Sequence, residues 1–507
     1  MFLLIFTAVI LGFLFYELYW KRRNLPPGPI PLPFIGNLLE VMRNEPGYEA
    51  YRKWTNQYGP VHTYWLGSRP MVAVSDYATI QATFIQDADK YAGRFNNLEM
   101  TKMYRGGNYG VVETAGGFVE GPEAVRRVAK LLNLVFSFTL HTLRDFGMGK
   151  NIMEERVMLE VEYLLERLEK QVDSFEMQKE FDISVGSIIN NILFGYRYDE
   201  DKLEEFFFVK GSISQQMKEF MNPKLFLLIL YPWLRYLPYF NTACQRLFGY
   251  RDLLFNYFRK QIATKEKEYD LDEEPNDFVE CFLKERSKRK GTESEEFYSE
   301  MQLLNLVFDL WVAGMETTAN TLTWGVCYIV NHPEVQKKIY QELDEKIKSD
   351  RRVEMSDKNS LPYLNAVICE VQRLCNLLPQ NLFHATTEDV VINGYSLPKG
   401  TSIVPQISCV MYDEKHFPEP YKFDPSRFLN ADGSFRRREE LIPFSIGKRQ
   451  CVGEGLARIE LFLFLANLFH RFEITASEKP SMKKTFGQTV QAAPYRIFAK
   501  NRFAQRH

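Results

Sequence analysis

The first 20 residues form an almost unbroken apolar run, and Lys21-Arg22-Arg23 closes it. About twenty residues at helical rise cross the hydrocarbon layer of a bilayer. A cleavable signal carries positive charge ahead of its apolar stretch, and none precedes this one. The pattern predicts an uncleaved transmembrane signal-anchor over residues 1–20, with the basic flank on the cytosolic side by the positive-inside rule. Pro26-Pro27-Gly28-Pro29-Ile30-Pro31-Leu32-Pro33 follows. Prolines fix φ and lack a donor, so residues 21–33 read as a basic and then stiff, extended hinge. Residues 34–507 contain no further linker and read as one folded body.

Within that body, apolar positions recur near every 3.6 residues from about 152 to 350, which predicts a helical middle. Short β-like runs stand at 61–66, 71–74 and 390–397. The longest helical pattern spans 301–330 and ends at Asn331-His332-Pro333, where proline opens a new helix. Asp309, Glu316 and Asn320 lie inside it, and an acid at a span centre costs about 2.5–3.5 kcal/mol on insertion scales. This helix belongs in a protein core, where about thirty residues at about 1.5 Å each reach across a domain. Residues 225–231 and Leu237-Pro238-Tyr239-Phe240 are apolar and aromatic, but too short to span a bilayer. Interfacial seating and plain core packing both fit them. Pattern alone gives a large, mainly α protein with short strands.

Composition adds exclusions. The chain is 45% hydrophobic and 25% charged with a net charge of −2, so no basic excess calls for nucleic acid. Its seven cysteines are odd in number and contain no CxxC pair, which argues against a disulfide framework or a zinc site.

Chemistry concentrates in Phe444-Ser445-Ile446-Gly447-Lys448-Arg449-Gln450-Cys451-Val452-Gly453. Gly447 can take the positive φ of a tight turn. Cys451 precedes an apolar helical run, and a helix N-terminus favours thiolate over thiol. Arg449 can reach an anionic group through a charge-assisted fork. A lone cysteine is usually a buried structural residue, but these ten residues resemble the cysteine-ligand loop of cytochromes P450 at all five of its fixed positions.

That resemblance, to the microsomal animal drug- and lipid-metabolising branch, covers essentially the whole chain. It implies the mixed cytochrome P450 fold, mainly α with small β-sheets (α+β), and a haem b whose iron takes Cys451 as axial thiolate. Phe444 and Gly453 would border the macrocycle and Arg449 would hold a propionate. Ala313-Gly314-Met315-Glu316-Thr317-Thr318 matches the family's oxygen-binding helix, which makes Thr317 and Glu316 the catalytic acid–alcohol pair. Thr317 would bend its helix; a hydroxyl bonding only its own backbone is the alternative. Glu370-Val371-Gln372-Arg373 and Phe423-Asp424-Pro425-Ser426-Arg427-Phe428 match the elements whose Glu, Arg and second Arg lock the cysteine loop. His384 matches a propionate partner, and residues 377–382, Phe308, the 96–118 loop and 488–490 the pocket lining.

One window departs from the family. Relatives carry Trp-x-x-x-Arg for the second propionate, yet no Trp stands between Trp65 and Trp233, and residues 128–137 look inserted before the pattern resumes at Phe138. Arg126 is the candidate replacement. The implied reaction inserts one atom of O₂ into a lipophilic substrate. Electrons would come from NADPH–cytochrome P450 reductase, with cytochrome b5 as a second donor, at the endoplasmic reticulum membrane. Arg436-Arg437-Arg438 and Lys448 would dock that acidic partner, unless they are an ordinary solvated run. Two rivals remain: a haem-thiolate isomerase working without reductase, and a haem-binding protein with impaired or no turnover.

Overall fold

The computed structural model describes residues 1–44, 46–94, 98–112, 134–135, 137–143, 151–220, 222–485, 487 and 489–504. The apolar N-terminus is a helix, α1 (Phe2–Leu18), with no buried residue. Among the described residues it lies in the one segment long and apolar enough to cross a membrane, Phe2–Arg22. The proline stretch is non-helical, as its fixed φ demands. It is also tied down. Arg22 donates to the Gly28 carbonyl at 2.8 Å, Thr63 N–H to Pro27 at 2.9 Å, and the Lys21 ammonium lies 4.4 Å from the Trp65 ring centroid.

The principal helices of the body are α2 (Asn151–Glu169), α3 (Met177–Phe194), α4 (Leu203–Phe220), α5 (Pro238–Glu268), α6 (Glu300–Asn331), α7 (Pro362–Cys375) and α8 (Glu454–Arg471). The long central pattern is thus confirmed as α6, one residue longer at each end than read from sequence. Ser299 caps it by accepting from Gln302 N–H at 3.2 Å. Helix α6 crosses the core between α3 and α8 and is buried along nearly its whole length.

The largest sheet has five strands, β1 (Val61–Leu66), β2 (Arg69–Val74), β3 (Gly93–Arg94), β4 (His384–Ala385) and β5 (Ser402–Pro405), in the order β1-β2-β5-β4-β3. β2 and β5 pair in parallel; the other neighbours are antiparallel. The run at 390–397 is a hairpin, Val390–Ile392 with Tyr395–Leu397. Its turn, Asn393-Gly394, holds φ of +49° and +85°, the left-handed pair a tight hairpin needs.

The aromatic segment between α4 and α5 divides its roles. Leu225 and Leu228 are buried, whereas Trp233, Tyr236, Leu237 and Tyr239 are exposed. Tyr231 donates to the carbonyl of Phe34 at 3.0 Å, which brings this exposed face beside exposed Ile30, Leu32 and Phe34.

Candidate active site

The loop before α8 is closed by backbone bonds: Ser445 N–H to Ile442 at 3.1 Å, Gln450 N–H to Gly447 at 3.0 Å, and Cys451 N–H to Phe444 at 2.9 Å. Gly447 sits at φ +81°, and a β-carbon there would collide with the Phe84 carbonyl oxygen. The glycine is required twice, by conformation and by close approach. Gly453 caps α8, and a β-carbon on it would meet nothing within 4 Å, so open space flanks this point.

Cys451 is accessible to solvent-sized contact, yet surrounding protein pushes its thiol pKa up. The N–H groups of Gly453 and Glu454 at the head of α8 pull it down. The side chain thus stands exposed at the head of α8, with desolvation and the helix-terminal amides acting on it in opposite directions. Its donor set, one sulfur beneath two helix-terminal amides, suits a soft axial ligand to iron.

Helix α6 has a matching accessible patch. Ala313 is exposed and Gly314 and Thr317 half-buried, in the middle of a helix whose Trp311, Met315, Glu316 and Thr318 are buried. The small exposed Ala313 leaves room for a flat group, whereas Gly314 lets α6 pack closely on Ile189 of α3, which a β-carbon there would meet. The Thr317 hydroxyl donates to the Ala313 carbonyl at 2.6 Å, and α6 continues through this point without interruption. Its proton is spent on its own helix, while the oxygen lone pairs remain available. Glu316 is buried; its Oε1 accepts from Gln491 Nε2 at 2.8 Å and Asn320 Nδ2 at 3.1 Å. Successive helical positions diverge by about 100°, and no direct bond joins Glu316 to the Thr317 hydroxyl.

Glu370, Arg373 and Arg427 meet in one cluster. Glu370 and Arg373 form a two-point pair at 2.7 and 2.8 Å with neither side chain exposed. Arg427 reaches the same carboxylate at 3.3 Å, and Asp424 N–H at 2.9 Å. Arg373 also bonds the carbonyls of Met411 and Pro420 at 2.9 and 2.7 Å. Burial raises the Glu370 pKa and Arg373 opposes it. The three side chains join α7 to the segment leading to the cysteine loop.

His384 lies on β4, buried, with Nδ1 2.9 Å from the Tyr91 carbonyl. Its pKa is pushed down to about 3, by burial first and then by the positive charge of Arg94, with Arg449 adding to it. Arg94 stands directly opposite His384 in the β3–β4 register and donates to Val112 at 3.1 Å. Arg449 donates to the Ala92 carbonyl at 2.9 Å. Three basic side chains thus converge where like charges repel, an arrangement that favours an anion such as a carboxylate. Arg94 was missed in the sequence reading. Its only local signal is a charge beside the apolar Tyr91-Ala92-Gly93, and its strand pairing with position 384 is non-local.

Other expectations fall variously. Phe308 is buried against Tyr104 and Phe255, ring centroids 6.4 and 5.5 Å apart. Val490 N–H bonds the Leu377 carbonyl at 2.8 Å. Asp309 accepts from Arg105 at 2.7 Å and from the N–H groups of Val111 and Val112 at 2.8 and 3.0 Å, fastening the 105–112 segment to α6. Arg126 and the whole 113–133 window lie outside the described residues, as does Gln488.

Comparison with known proteins agrees with this geometry. The model of the family described as Cytochrome P450 matches residues 26–498. The chain is 35% identical over 468 residues to "Cytochrome P450 2C4" of Oryctolagus cuniculus, covering 91% of each chain. It is 33% identical over 494 residues to "Cytochrome P450 2A5" of Mus musculus, 94% of each, and 34% over 485 residues to "Cytochrome P450 2E1" of Oryctolagus cuniculus, 92% of each. An enclosed cysteine at a helix head, a small-residue patch on the central helix, a buried carboxylate–arginine lock and near-full-length likeness converge: this chain belongs to the cytochrome P450 family, as a monooxygenase using haem with a cysteine thiolate on its iron.

Proposed function

We propose that Cys451 is the axial ligand and that this protein oxygenates lipophilic small molecules at the endoplasmic reticulum membrane. The observation that carries the reading is the closed loop at 442–451, which holds an enclosed but accessible sulfur at the head of α8. When bound, the haem supplies dioxygen activation, and a thiolate ligand favours O–O cleavage. Arg449, His384 and Arg94 would hold its propionates, with Arg126 as a further partner. Phe444 and Gly453 border the ring. Thr317 would turn its hydroxyl from the Ala313 carbonyl toward the haem pocket, donating its own proton there, and Glu316, held by Asn320 and Gln491, would pass a replacement proton to it through water.

The organisation as anchor (1–20), hinge (21–33) and catalytic body (34–507) supports a single-pass protein with its body in the cytosol. NADPH–cytochrome P450 reductase supplies electrons there, with cytochrome b5 as an accessory donor. The exposed Trp233, Tyr236, Leu237 and Tyr239, beside Phe34, support a body that also rests on the lipid surface.

Two measurements test the proposal. Reduced protein exposed to carbon monoxide should give the band of a thiolate-ligated haem, and Cys451→Ser should abolish it. Turnover of a lipophilic panel should require both NADPH and reductase. Product formed from a peroxide without reductase would instead indicate an isomerase, and a normal carbonyl band without any turnover a non-catalytic haem protein.

A further inference from the structure

A two-stranded hairpin near the C-terminus, Lys484–Thr485 paired with Gln491–Ala492, reaches both the acid of α6 and the end of α7. Gln491 Nε2 donates to the buried Glu316 carboxylate at 2.8 Å. Asn320 Nδ2 donates to the same oxygen and to the Thr489 hydroxyl, each at 3.1 Å. The Trp324 indole N–H donates to the Val490 carbonyl at 3.0 Å. Positions 316, 320 and 324 share one face of α6, so that face holds residues 489–491 in a row. On the hairpin's other strand, the Lys484 ammonium donates to the carbonyls of Leu374 and Cys375, the latter at 3.1 Å, and to the Tyr412 hydroxyl at 2.6 Å. It lies 4.9 and 5.3 Å from the ring centroids of Tyr48 and Tyr412. Those carbonyls belong to the last turn of α7, where the helix dipole favours a cation. Thr485 faces Gln491 across the ladder and donates its hydroxyl to the Gln491 carbonyl at 3.0 Å, which ties the clamped strand to the one that presents the amide.

We propose that Gln491 is a positioning residue that aims the Glu316 carboxylate at the proton path to Thr317, and that Lys484 fixes the strand from which Gln491 acts. The inference rests on the proton-delivery reading above and carries it beyond α6, to a hairpin some 170 residues away in sequence. A carboxylate that hands protons on must keep its direction while its charge comes and goes. The glutamine amide suits that task, because its N–H donates to the carboxylate and it does not itself titrate. A hydrogen bond to a charged acceptor is also roughly twice as strong as a neutral one. Without Gln491 the carboxylate loses one of the two amides that hold it, and the water path to Thr317 loses its fixed origin. The two electrons from NADPH then leave on oxygen as hydrogen peroxide. Without the Lys484 clamp the strand itself shifts, and the same bond fails at one remove.

The test uses the haem-loaded, full-length protein with NADPH, reductase and 7-ethoxycoumarin as the lipophilic probe, and reads hydrogen peroxide released per NADPH oxidised. A wild-type ferrous–carbonyl band certifies each variant. Gln491→Leu and Lys484→Met should each raise the peroxide yield several-fold, whereas Lys483→Met, at the exposed neighbouring position, should not. The double variant should leak no more than Gln491→Leu alone, since the lysine acts through the amide; additive leaks would overturn the coupling. Gln491→Glu should add a pH dependence absent from Gln491→Leu, because two adjoining carboxyls share one proton. Asp182 and Lys210, paired at 2.6 Å, are further charged groups acting on Glu316 and stay unchanged in both variants. Independently of turnover, Lys484→Met should speed hydrogen exchange at the Val490 amide, which bonds the Leu377 carbonyl at 2.8 Å. Should Gln491→Leu lose the carbonyl band, Gln491→Glu carries the test. A leaking Glu316→Gln beside a tightly coupled Gln491→Leu overturns this inference alone. Tight coupling in Glu316→Gln overturns the proton-delivery reading with it.

Discussion

At residue 447 one hydrogen atom in place of a methyl group decides whether the ligand loop can close. A left-handed conformation costs an L-residue roughly 1–2 kcal/mol, and a methyl group would in addition meet the Phe84 carbonyl. Gly447→Ala should therefore lower the melting temperature and weaken haem retention, measured by thermal denaturation and by the carbonyl band. Glu460 makes a second residue-scale case. Buried on α8 with Thr318 of α6 as its hydrogen-bonding neighbour, it has a pKa pushed up by burial to about 8. The folded state keeps a proton that the unfolded chain releases from about pH 4.5 upward. Its contribution to stability is whole below that pH and falls as pH rises to about 8, by on the order of 5 kcal/mol at about 1.36 kcal/mol per pH decade. Glu460→Gln should flatten that slope in unfolding measured from pH 5 to pH 9. Thr317→Ala should bind haem normally but release hydrogen peroxide during NADPH consumption; tight coupling in that variant would remove the proton-delivery role.

At the scale of elements, what could be read in the sequence was what periodicity and contiguous motifs encode. Helix α6 was legible because thirty consecutive positions repeat one face, and β1 and β2 because a short apolar run has few alternatives. The hairpin at Asn393-Gly394 was blurred into one strand although its turn residues were in view. The ExxR pair was legible as a face-sharing pair, but its burial depends on Met411, Pro420 and Lys422, which no local pattern connects to it. Asp309 read merely as an acid unfit for a membrane. Its purpose lies two hundred residues upstream, in the Arg105 guanidinium and two amides of the 105–112 segment. Breaking such a buried pair from one side costs about 3–5 kcal/mol. Asp309→Ala should accelerate hydrogen exchange at the Val111 and Val112 amides while leaving the carbonyl spectrum unchanged.

At the scale of the whole molecule, two apolar surfaces lie near each other: α1, which has no buried residue and stacks Phe13 on Phe34, and the patch of Trp233, Tyr236, Leu237 and Tyr239 close to Phe34. Protein lacking residues 1–24 should retain measurable binding to phospholipid vesicles, reduced further by Trp233→Ser with Tyr236→Ser. Absence of vesicle binding by the truncated protein would leave the anchor as the whole attachment. Sequence could not decide between core and interface for this segment because its residues divide, with Leu225 and Leu228 inward and the aromatics outward.

The grip of Arg22 on Gly28, with Lys21 against Trp65, makes the short connection a stiff mast rather than a string. In the membrane placement proposed above, rotation of the anchor and yaw of the catalytic body would become a single degree of freedom. An electron donor diffusing in the same plane would meet a docking face held at a nearly constant heading.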